Sequence, residues 1–220
     1  MSSGVRLVML GRQGAGKGTQ CARLSRHYVV PHISTGDMLR SAVKQGTELG
    51  QKAAEIMAAG ELVPDDIMIG IVDDRLRCDD TTQRGYILDG FPRTVSQAEA
   101  LAAMTADRPL DLVVDLHVPV EEVLERLASR RVCVDCGWNY STAAPPKHNW
   151  TCDNCGGEVV QREDDTPEAI RKRLDEYEAK TAPLLEWYRE RGLLEVVDGR
   201  GTEEEVTDRL VAAIDARLGR

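Results

Sequence analysis

The sequence predicts an α/β protein in which helices cover both faces of a parallel sheet. Short aliphatic runs bounded by Gly, Pro or Asp alternate with segments of helical periodicity. This alternation is typical of buried parallel strands joined by crossover helices. The chain has 220 residues, of which 42% are hydrophobic and 30% charged, the composition of a folded protein and not of a disordered one. One domain with insertions is therefore expected.

Five aliphatic runs are the predicted strands, and capping signals mark some of the helices. The strands are expected at residues 5–10, 29–33, 86–88, 112–116 and 194–197. Thr166 followed by Pro167 predicts the start of a long helix, which should bend near Pro183. Thr202 and Glu205 have the spacing of a capping box, which predicts the start of the last helix.

Two segments interrupt the α/β alternation. Residues 34–63 are helical throughout, with glycines between the helical stretches, and residues 130–163 carry four cysteines and several glycines. We therefore predict a core of residues 1–33, 64–129 and 164–220 with two insertions, 34–63 and 130–163.

A glycine-rich loop follows the first predicted strand. Residues 11–19 read GRQGAGKGT, and a helical pattern begins there. Glycines let several backbone N–H groups point at one anion, and the helix adds the positive end of its dipole. Lys17 supplies a mobile charge for the outer phosphates, and Thr19 a hydroxyl for phosphate or magnesium. The loop predicts a nucleotide phosphate site.

Further residues suited to phosphate chemistry follow. Asp89 ends a predicted strand, where a carboxylate that organises magnesium is expected, and Arg93 follows directly. The net charge of −9 disfavours general nucleic-acid or membrane binding, so phosphates require a local basic cluster. Arginines stabilise a phosphoryl-transfer transition state, and a phosphate acceptor needs no general base. The arginines singled out for this role are Arg40, Arg93, Arg126, Arg130, Arg162 and Arg173.

The cysteines form two CxxC pairs. Cys133 and Cys136 are separated from Cys152 and Cys155 by 15 residues, a spacing that predicts a structural Cys₄ zinc ribbon rather than disulfides. His148 lies between the pairs and is not expected to be a ligand. The remaining Cys21 and Cys78 are predicted to be small core residues. This cysteine usage, and the lack of a long apolar run, predict a cytoplasmic protein.

The motifs together resemble the adenylate kinases of the long bacterial type, which have a zinc-containing lid. The matching segments are GRQGAGKGTQ, HISTGDMLR, GELVPDDI, YILDGFPRT, RRVCVDCG, CDNCGG and QREDDTPEAIRKRL. The resemblance implies a P-loop nucleoside-monophosphate-kinase fold with a five-stranded parallel sheet, an AMP-binding insertion at 34–63 and a zinc lid at 130–163. It also implies a monomer that converts MgATP and AMP reversibly into two ADP, with no nucleic-acid or membrane partner.

The resemblance further implies a role for each matching residue. Gln97 would read the adenine edge of AMP, and Asp89 would organise Mg²⁺ through water. Asp164 and Asp165 would help to lock the closed lid. The implied ATP contacts are Gly14, Ala15, Gly16, Lys17, Gly18, Thr19, Arg126, Arg130, Asn139, Tyr140 and Gly201. The implied AMP contacts are Thr35, Arg40, Glu61, Leu62, Val63, Gly90, Phe91, Pro92, Arg93, Gln97, Arg162 and Arg173. The implied catalytic residues are Lys17, Asp89, Arg93, Arg130, Arg162 and Arg173, and the zinc ligands are the four paired cysteines.

Two residues and two alternatives remain open at this point. Gln13 stands where the family usually has Pro, which removes a fixed φ from the loop. Arg12 is expected in solvent rather than on a phosphate.

A UMP or CMP kinase of the same fold is one alternative function, although such enzymes generally have a much shorter lid. A zinc-ribbon nucleic-acid-binding module with a regulatory nucleotide site is the other, and the net charge opposes it.

Overall fold

The central sheet of the protein is parallel. The computed structural model describes residues 4–59, 61–162 and 165–220. Within these ranges, five strands form the sheet in the order β2-β3-β1-β4-β8. The five strands of this sheet are β1 Arg6–Leu10, β2 His32–Ser34, β3 Tyr86–Asp89, β4 Leu112–His117 and β8 Leu194–Asp198. In the same ranges, three further strands lie outside it: β5 Arg130–Cys133, β6 Asn139–Ser141 and β7 Val159–Val160.

Helices connect these strands and pack on both faces of the sheet. They are α1 Lys17–Tyr28, α2 Thr35–Lys44, α3 Glu48–Ala58, α4 Asp65–Leu76, α5 Asp79–Arg84, α6 Val95–Met104, α7 Val120–Ser129, α8 Pro167–Glu176, α9 Pro183–Glu190 and α10 Glu203–Leu218. The predicted caps are present, since Thr166 accepts from the backbone of Ala169 and Thr202 and Glu205 form the capping box. The predicted α/β fold with a five-stranded parallel sheet flanked by helices is confirmed.

Alternating side chains of the central strands feed two separate cores. Leu7 and Met9 pack with residues of α1, α7 and α10 on one face. Val8 and Leu10 pack with residues of α4, α6 and α9 on the other. A strand buried on both faces is apolar along its whole length, which explains the continuous aliphatic run of β1. The second core also takes in Leu39 of α2, so the helical insertion packs against the main body.

The register brings the carboxyl ends of three strands to one edge. Ser34 at the end of β2 lies opposite Asp89 of β3, and Asp89 lies opposite Met9 of β1. The loops that follow these strands therefore start side by side. In open parallel sheets this edge is where ligands bind.

The cysteine-bearing segment has a sheet of its own. Strands β5, β6 and β7 are antiparallel in the order β6-β5-β7. Its small core consists of Cys133, Cys152 and Val159, with Tyr140 packed against it.

The predicted strand at residues 29–33 is misplaced. Val29 adopts φ 56, donates its N–H to Ser25 and ends α1, and its side chain is 66% exposed. The strand begins only at His32. An apolar run is compatible with a strand or with a helix terminus, so the sequence pattern alone did not separate the two.

The predicted bend near Pro183 corresponds to a change of helix type. A π-helical turn spans Tyr177–Thr181, and Ala182 donates to the carbonyl of Tyr177 at 2.8 Å. Proline has no N–H and its ring clashes with the preceding turn, so the hydrogen-bond ladder shifts before it.

Among the described residues, no helix combines the length and apolarity that a membrane span requires.

Candidate active site

The glycine-rich loop wraps around the side chain of Lys17. Lys17, the first residue of α1, donates from Nζ to the carbonyls of Gly11 at 2.7 Å and Arg12 at 2.9 Å. Gly14 has φ +84, and a Cβ there would lie 2.8 Å from Cγ of Leu127. The loop therefore needs glycine for both its backbone conformation and its packing. The remaining P-loop residues, Ala15, Gly16, Gly18 and Thr19, continue from this loop into the first turn of α1.

Lys17 and Asp89 are the oppositely charged groups at the centre of the site. Burial lowers the pKa of Lys17, and the attraction of Asp89 opposes that shift. Burial acts to raise the pKa of Asp89, but His32 and Lys17 outweigh it, so the pKa lies below its ordinary value. The Asp89 carboxylate therefore stays ionised at neutral pH, which suits an oxygen ligand for a hard cation.

The segment after β3 presents Arg93 to the cleft. Nε of Arg93 donates to the carbonyl of Gly90 at 2.9 Å. Gly90 has φ +85, and a Cβ there would lie 2.7 Å from Oγ1 of Thr35. Phe91 is 1% exposed and anchors the turn, and the Phe91–Pro92 peptide is cis. The chain thus places a guanidinium group beside the carboxyl ends of β2 and β3.

Gln97 is buried and fixed at both ends of its amide. Its Oε1 accepts from the backbone of Arg93 at 2.8 Å, and its Nε2 donates to Asp65 at 2.7 Å. Thr94 donates to the other oxygen of Asp65 at 2.7 Å. Asp65 is a positioning residue that the sequence analysis missed, because it lies 32 residues from Gln97 along the chain.

Arg130 and Arg173 meet at a fully buried carboxylate. Nε of Arg130 donates to Asp165 at 2.7 Å, and Nη1 of Arg173 lies 3.8 Å from the same carboxylate. The side chain of Asp165 is 0% exposed. With its amide oxygen facing the two guanidinium groups, Gln13 accepts from Arg130 at 3.0 Å and from Arg173 at 2.8 Å. The residue that departs from the family pattern is therefore part of this cluster. The predicted lock residue Asp164 lies outside the described residues.

The predicted cations converge on the same edge of the sheet. Arg93 and Arg130 both repel the charge of Lys17. The pKa of Arg93 is lowered by loss of hydration in the cleft, an effect that Asp89 opposes and that repulsion from Arg173 and Arg40 reinforces. Arg40 also pairs with Asp37 within α2. A concentration of positive charge in a chain of net charge −9 is suited to a ligand with several phosphate groups.

Comparisons with known proteins identify the family of this chain. A family model described as adenylate kinase matches residues 9–193. The chain belongs to the adenylate kinase family. The adenylate kinase of Thermodesulfovibrio yellowstonii is 48% identical over 216 residues, which cover 97% of this chain and 100% of the relative. That of Archaeoglobus fulgidus is 50% identical over 212 residues, 95% of this chain and 97% of the relative. That of Moorella thermoacetica is 48% identical over 219 residues, 98% and 99% of the two chains.

Membership of the adenylate kinase family confirms the predicted activity. Adenylate kinases are ATP:AMP phosphotransferases, and this chain is one by its family.

Arg126 connects two parts of the adenylate kinase site. Its Nη1 donates to the carbonyl of Ala15 at 3.1 Å, and its Nη2 donates to the carbonyl of Gly199 at 3.1 Å and to Glu122 at 2.6 Å. The P-loop is thereby tied to the loop that follows β8, in which Gly201 has φ +106.

The helical insertion contacts both the core and the cysteine segment. Glu61 pairs with Lys172 of α8 at 2.6 Å, and Arg173 donates to the carbonyl of Met57 at 3.1 Å. Nζ of Lys44 lies 3.9 Å from the carboxylate of Asp135, which stands between Cys133 and Cys136. Leu62 is half-buried and Val63 buried beside these contacts, and Arg162 is half-buried before α8.

The four paired cysteines meet as predicted. Their Sγ atoms all lie within 4.8 Å of one another, with Cys133 and Cys155 at 3.5 Å and Cys136 and Cys152 at 3.6 Å. Zinc–sulfur bonds of 2.3 Å in a tetrahedron place the sulfurs about 3.8 Å apart. The donor set and its spacing therefore fit Zn²⁺. The six cysteines, all among the described residues, form no disulfide.

Three side chains near the site lie in unexpected surroundings. Tyr140 accepts from the backbone of Asp153 at 2.8 Å, and its hydroxyl lies 3.5 Å from Sγ of Cys152, while neighbouring Asn139 is exposed. Arg12 pairs with Glu178 at 2.6 Å and lies over the Tyr177 ring, so it is neither in open solvent nor at the P-loop interior.

The prediction that Cys78 is a core residue is wrong. It is exposed in the turn that begins α5, whereas Cys21 is fully buried. A cysteine near the end of a helical pattern has no periodic signal that fixes its face.

Proposed function

We propose that the basic cluster clamps ATP and AMP head to tail and transfers the γ-phosphoryl group between them. The observation that carries this proposal is the convergence of Lys17, Arg93, Arg130 and Arg173 around one edge of the sheet. Four cations around one cleft carry more positive charge than one nucleoside monophosphate neutralises, which favours the two facing phosphate chains of ATP and AMP.

ATP binds on the P-loop side in this proposal. Backbone N–H groups of residues 14–19 and the positive end of α1 hold the β- and γ-phosphates, with Lys17 turning from the loop carbonyls to the phosphates. Arg126 ties the P-loop to Gly199, two residues before Gly201, which contacts the nucleotide through its backbone. Arg130, Asn139 and Tyr140 approach from the lid, residues 130–163.

AMP binds between the helical insertion, residues 34–63, and the segment after β3. Arg40 and Arg93 grip its phosphate, and an arriving phosphate competes with Asp37 for Arg40. Gln97 meets the adenine edge, held in orientation by Asp65. The remaining AMP contacts are Thr35, Glu61, Leu62, Val63, Gly90, Phe91 and Pro92.

The transfer step needs charge stabilisation and exclusion of water. An AMP phosphate oxygen forms the new bond to the γ-phosphorus while the bond to the β-phosphate oxygen breaks, and two ADP result. Arg93, Arg130, Arg162 and Arg173 stabilise the charge on the transferring group. The contacts between residues 34–63, α8 and the cysteine lid cover the cleft and keep water from the phosphoryl group.

Two metals fit this proposal. Mg²⁺ bound with ATP would neutralise developing phosphate charge, and the ionised, buried Asp89 is the carboxylate that suits its water shell. Zn²⁺ held by Cys133, Cys136, Cys152 and Cys155 would fill all four positions and serve the fold of the lid. We propose a cytoplasmic monomer, in keeping with cysteines that form no disulfide.

The deciding experiment is ADP formation from MgATP with a panel of nucleoside monophosphates. The purified enzyme should use AMP far better than UMP or CMP, because the proposal has the Gln97 amide, fixed by Arg93 and Asp65, read the adenine edge. Preference for UMP or CMP would overturn the assignment of the base. A Gln97→Leu variant should raise the KM for AMP more than that for ATP.

A further inference from the structure

Beneath the nucleotide site lies a second cluster of metal-binding side chains, distinct from the four paired cysteines. Cys21 of α1, His32 of β2 and Asp89 of β3 bring their ligand atoms within 4.8 Å of one another. Nε2 of His32 lies 3.6 Å from the Asp89 carboxylate, which is longer than a hydrogen bond. Adjacent register of β2 and β3, with Ser34 opposite Asp89, brings the two strand residues together.

We propose that this cluster is an inhibitory site for a zinc-class divalent cation. A thiol, an imidazole and a carboxylate are the donors that Zn²⁺ accepts, whereas Mg²⁺ prefers oxygen ligands alone. Three protein ligands leave a fourth position for water or a phosphate oxygen, unlike the closed Cys₄ set. The proposal goes beyond the transfer reaction, and its inhibitory half rests on the role proposed for Asp89.

His32 supplies the second observation. Among the described residues, its buried Nε2 has no hydrogen-bond partner. The Asp89 carboxylate lies 3.6 Å away, too far for a hydrogen bond, so a metal bond would satisfy this buried nitrogen. Cys21 is 0% exposed and lies next to this nitrogen and to Asp89.

A cation has a route to the cluster from the cleft. The side chains of His32 and Asp89 retain 19% and 13% exposure. A Cβ at Gly18 would lie 3.7 Å from Oδ2 of Asp89, so the glycine leaves this approach open. Ligand atoms about 3.5 Å apart suit a tetrahedral ion, and these three already lie within 4.8 Å of one another, so side-chain adjustment brings them to one ion.

The charge balance is acceptable for a divalent ion. On binding, the Cys21 thiol loses its proton to solvent, so thiolate and carboxylate together cancel both charges of the metal. The cluster then changes by one unit of charge, from the single negative charge of Asp89 to none. Lys17 and Arg93 face Asp89 and oppose this change, which favours a metal that forms a strong bond to sulfur.

The consequence is competition for Asp89. A zinc-class ion that holds this carboxylate withdraws it from the Mg²⁺ of MgATP and from Lys17. Excess Zn²⁺ is therefore expected to lower turnover without disturbing the Cys₄ lid.

The test starts from enzyme whose Cys₄ site is loaded with zinc. Co²⁺ is then added and the sulfur-to-cobalt charge-transfer band and bound-metal stoichiometry are measured. We expect one further equivalent in the wild-type protein, none in Cys21→Ala, and wild-type behaviour in the matched control Cys78→Ala, whose thiol is exposed and outside the cluster. Absence of the band from the wild type, or its persistence in Cys21→Ala, would overturn the site.

Kinetics at fixed MgATP and AMP test the inhibitory half. The Zn²⁺ concentration for half-inhibition should rise on the order of 100-fold in Cys21→Ala, as loss of a ligand costs at least as much as loss of an outer-shell partner. The Zn²⁺ concentration for half-inhibition should also rise in His32→Gln, and this variant provides the test if Cys21→Ala does not fold. Equal inhibition of wild type and both variants would overturn the inhibitory role, while activity without added zinc reports separately on the transfer reaction.

Discussion

The central sheet packs aliphatic side chains on both faces, whereas the three-stranded sheet of the cysteine lid packs around two cysteines, one valine and one tyrosine. The first region excludes water with its own side chains. The second has too little apolar area for that and exposes Val134, Trp138 and Trp150. A fold with a small core needs a staple, and four clustered thiols provide the ligands for one.

In the core, the strands supply the buried apolar side chains, whereas most of the proposed substrate contacts lie on the loops and helices that follow the strands. In the cysteine-bearing segment, a metal held by the four thiols would stabilise the small sheet and, in the proposed function, the position of Arg130, Asn139 and Tyr140 at the cleft.

Removal of the zinc proposed for the four-cysteine cluster is expected to have the largest effect. Zinc contributes about 10 kcal/mol or more to the folding of zinc-finger peptides. Treatment with a chelator should therefore abolish hydrogen-exchange protection in β5, β6 and β7 while β1 and β3 keep theirs, and AMP affinity should change little. Equal loss of protection in both sheets would remove the distinction between the two regions.

Arg93→Ala tests a substrate-facing residue of the core. Turnover should fall by about 10²–10³-fold, the usual effect of removing one donor to a developing oxyanion, and the melting temperature should stay near that of the wild type. Arg77→Ala, which removes a guanidinium that is 73% exposed, is the matched control and should remain fully active. Steady-state kinetics with AMP as the varied substrate measure the effect. A mild loss in Arg93→Ala would contradict its assigned grip on the phosphate.

Substitution of two leucines of α7 compares a buried position with an exposed one on the same helix. Leu127 is 0% and Leu124 41% exposed. Leu127→Ala should lower the free energy of unfolding by about 2–5 kcal/mol, because it leaves a cavity beneath the P-loop. Leu124→Ala should change it by no more than about 0.5 kcal/mol. Urea denaturation of the metal-loaded proteins gives both values, and similar losses would mean that α7 is not packed as described.

Gln13→Ala is expected to have the smallest effect. The amide oxygen of Gln13 orients Arg130 and Arg173, and a hydrogen bond is worth about 1 kcal/mol, so turnover should fall about fivefold. The control is Gln51→Ala, on the exposed side of α3. Stopped-flow measurement of ADP formation reports the change, and an unaltered rate would leave Gln13 without a positioning role.

Features that depend on neighbouring residues were predicted well. The P-loop, the Thr202–Glu205 capping box and the two CxxC pairs each lie within a few residues of sequence, and the structure contains each of them. Errors arose where a local pattern has two structural solutions. Val29 ends a helix instead of starting a strand, and Cys78 lies in an exposed turn instead of the core.

The contacts that assemble the site were outside the reach of sequence patterns. Asp65 with Gln97 and Arg130 with Asp165 are 32 and 35 residues apart. Nothing in the spacing of these residues indicates that they meet, because their separation in space is decided by how strands and helices pack.

By itself, the sequence determined the order of strands and helices, the anion-binding loop and the four thiol ligands, because backbone hydrogen bonding, glycine conformation and short ligand spacings are local properties. Only the tertiary structure decided that Gln13 lies between Arg130 and Arg173, and that Cys21, His32 and Asp89 share one cluster. Parallel strands bring the residues at their carboxyl ends to one edge whatever their distance along the chain. The packing at that edge decides which charged groups become neighbours, and these neighbours and the degree of burial shift the pKa of each group.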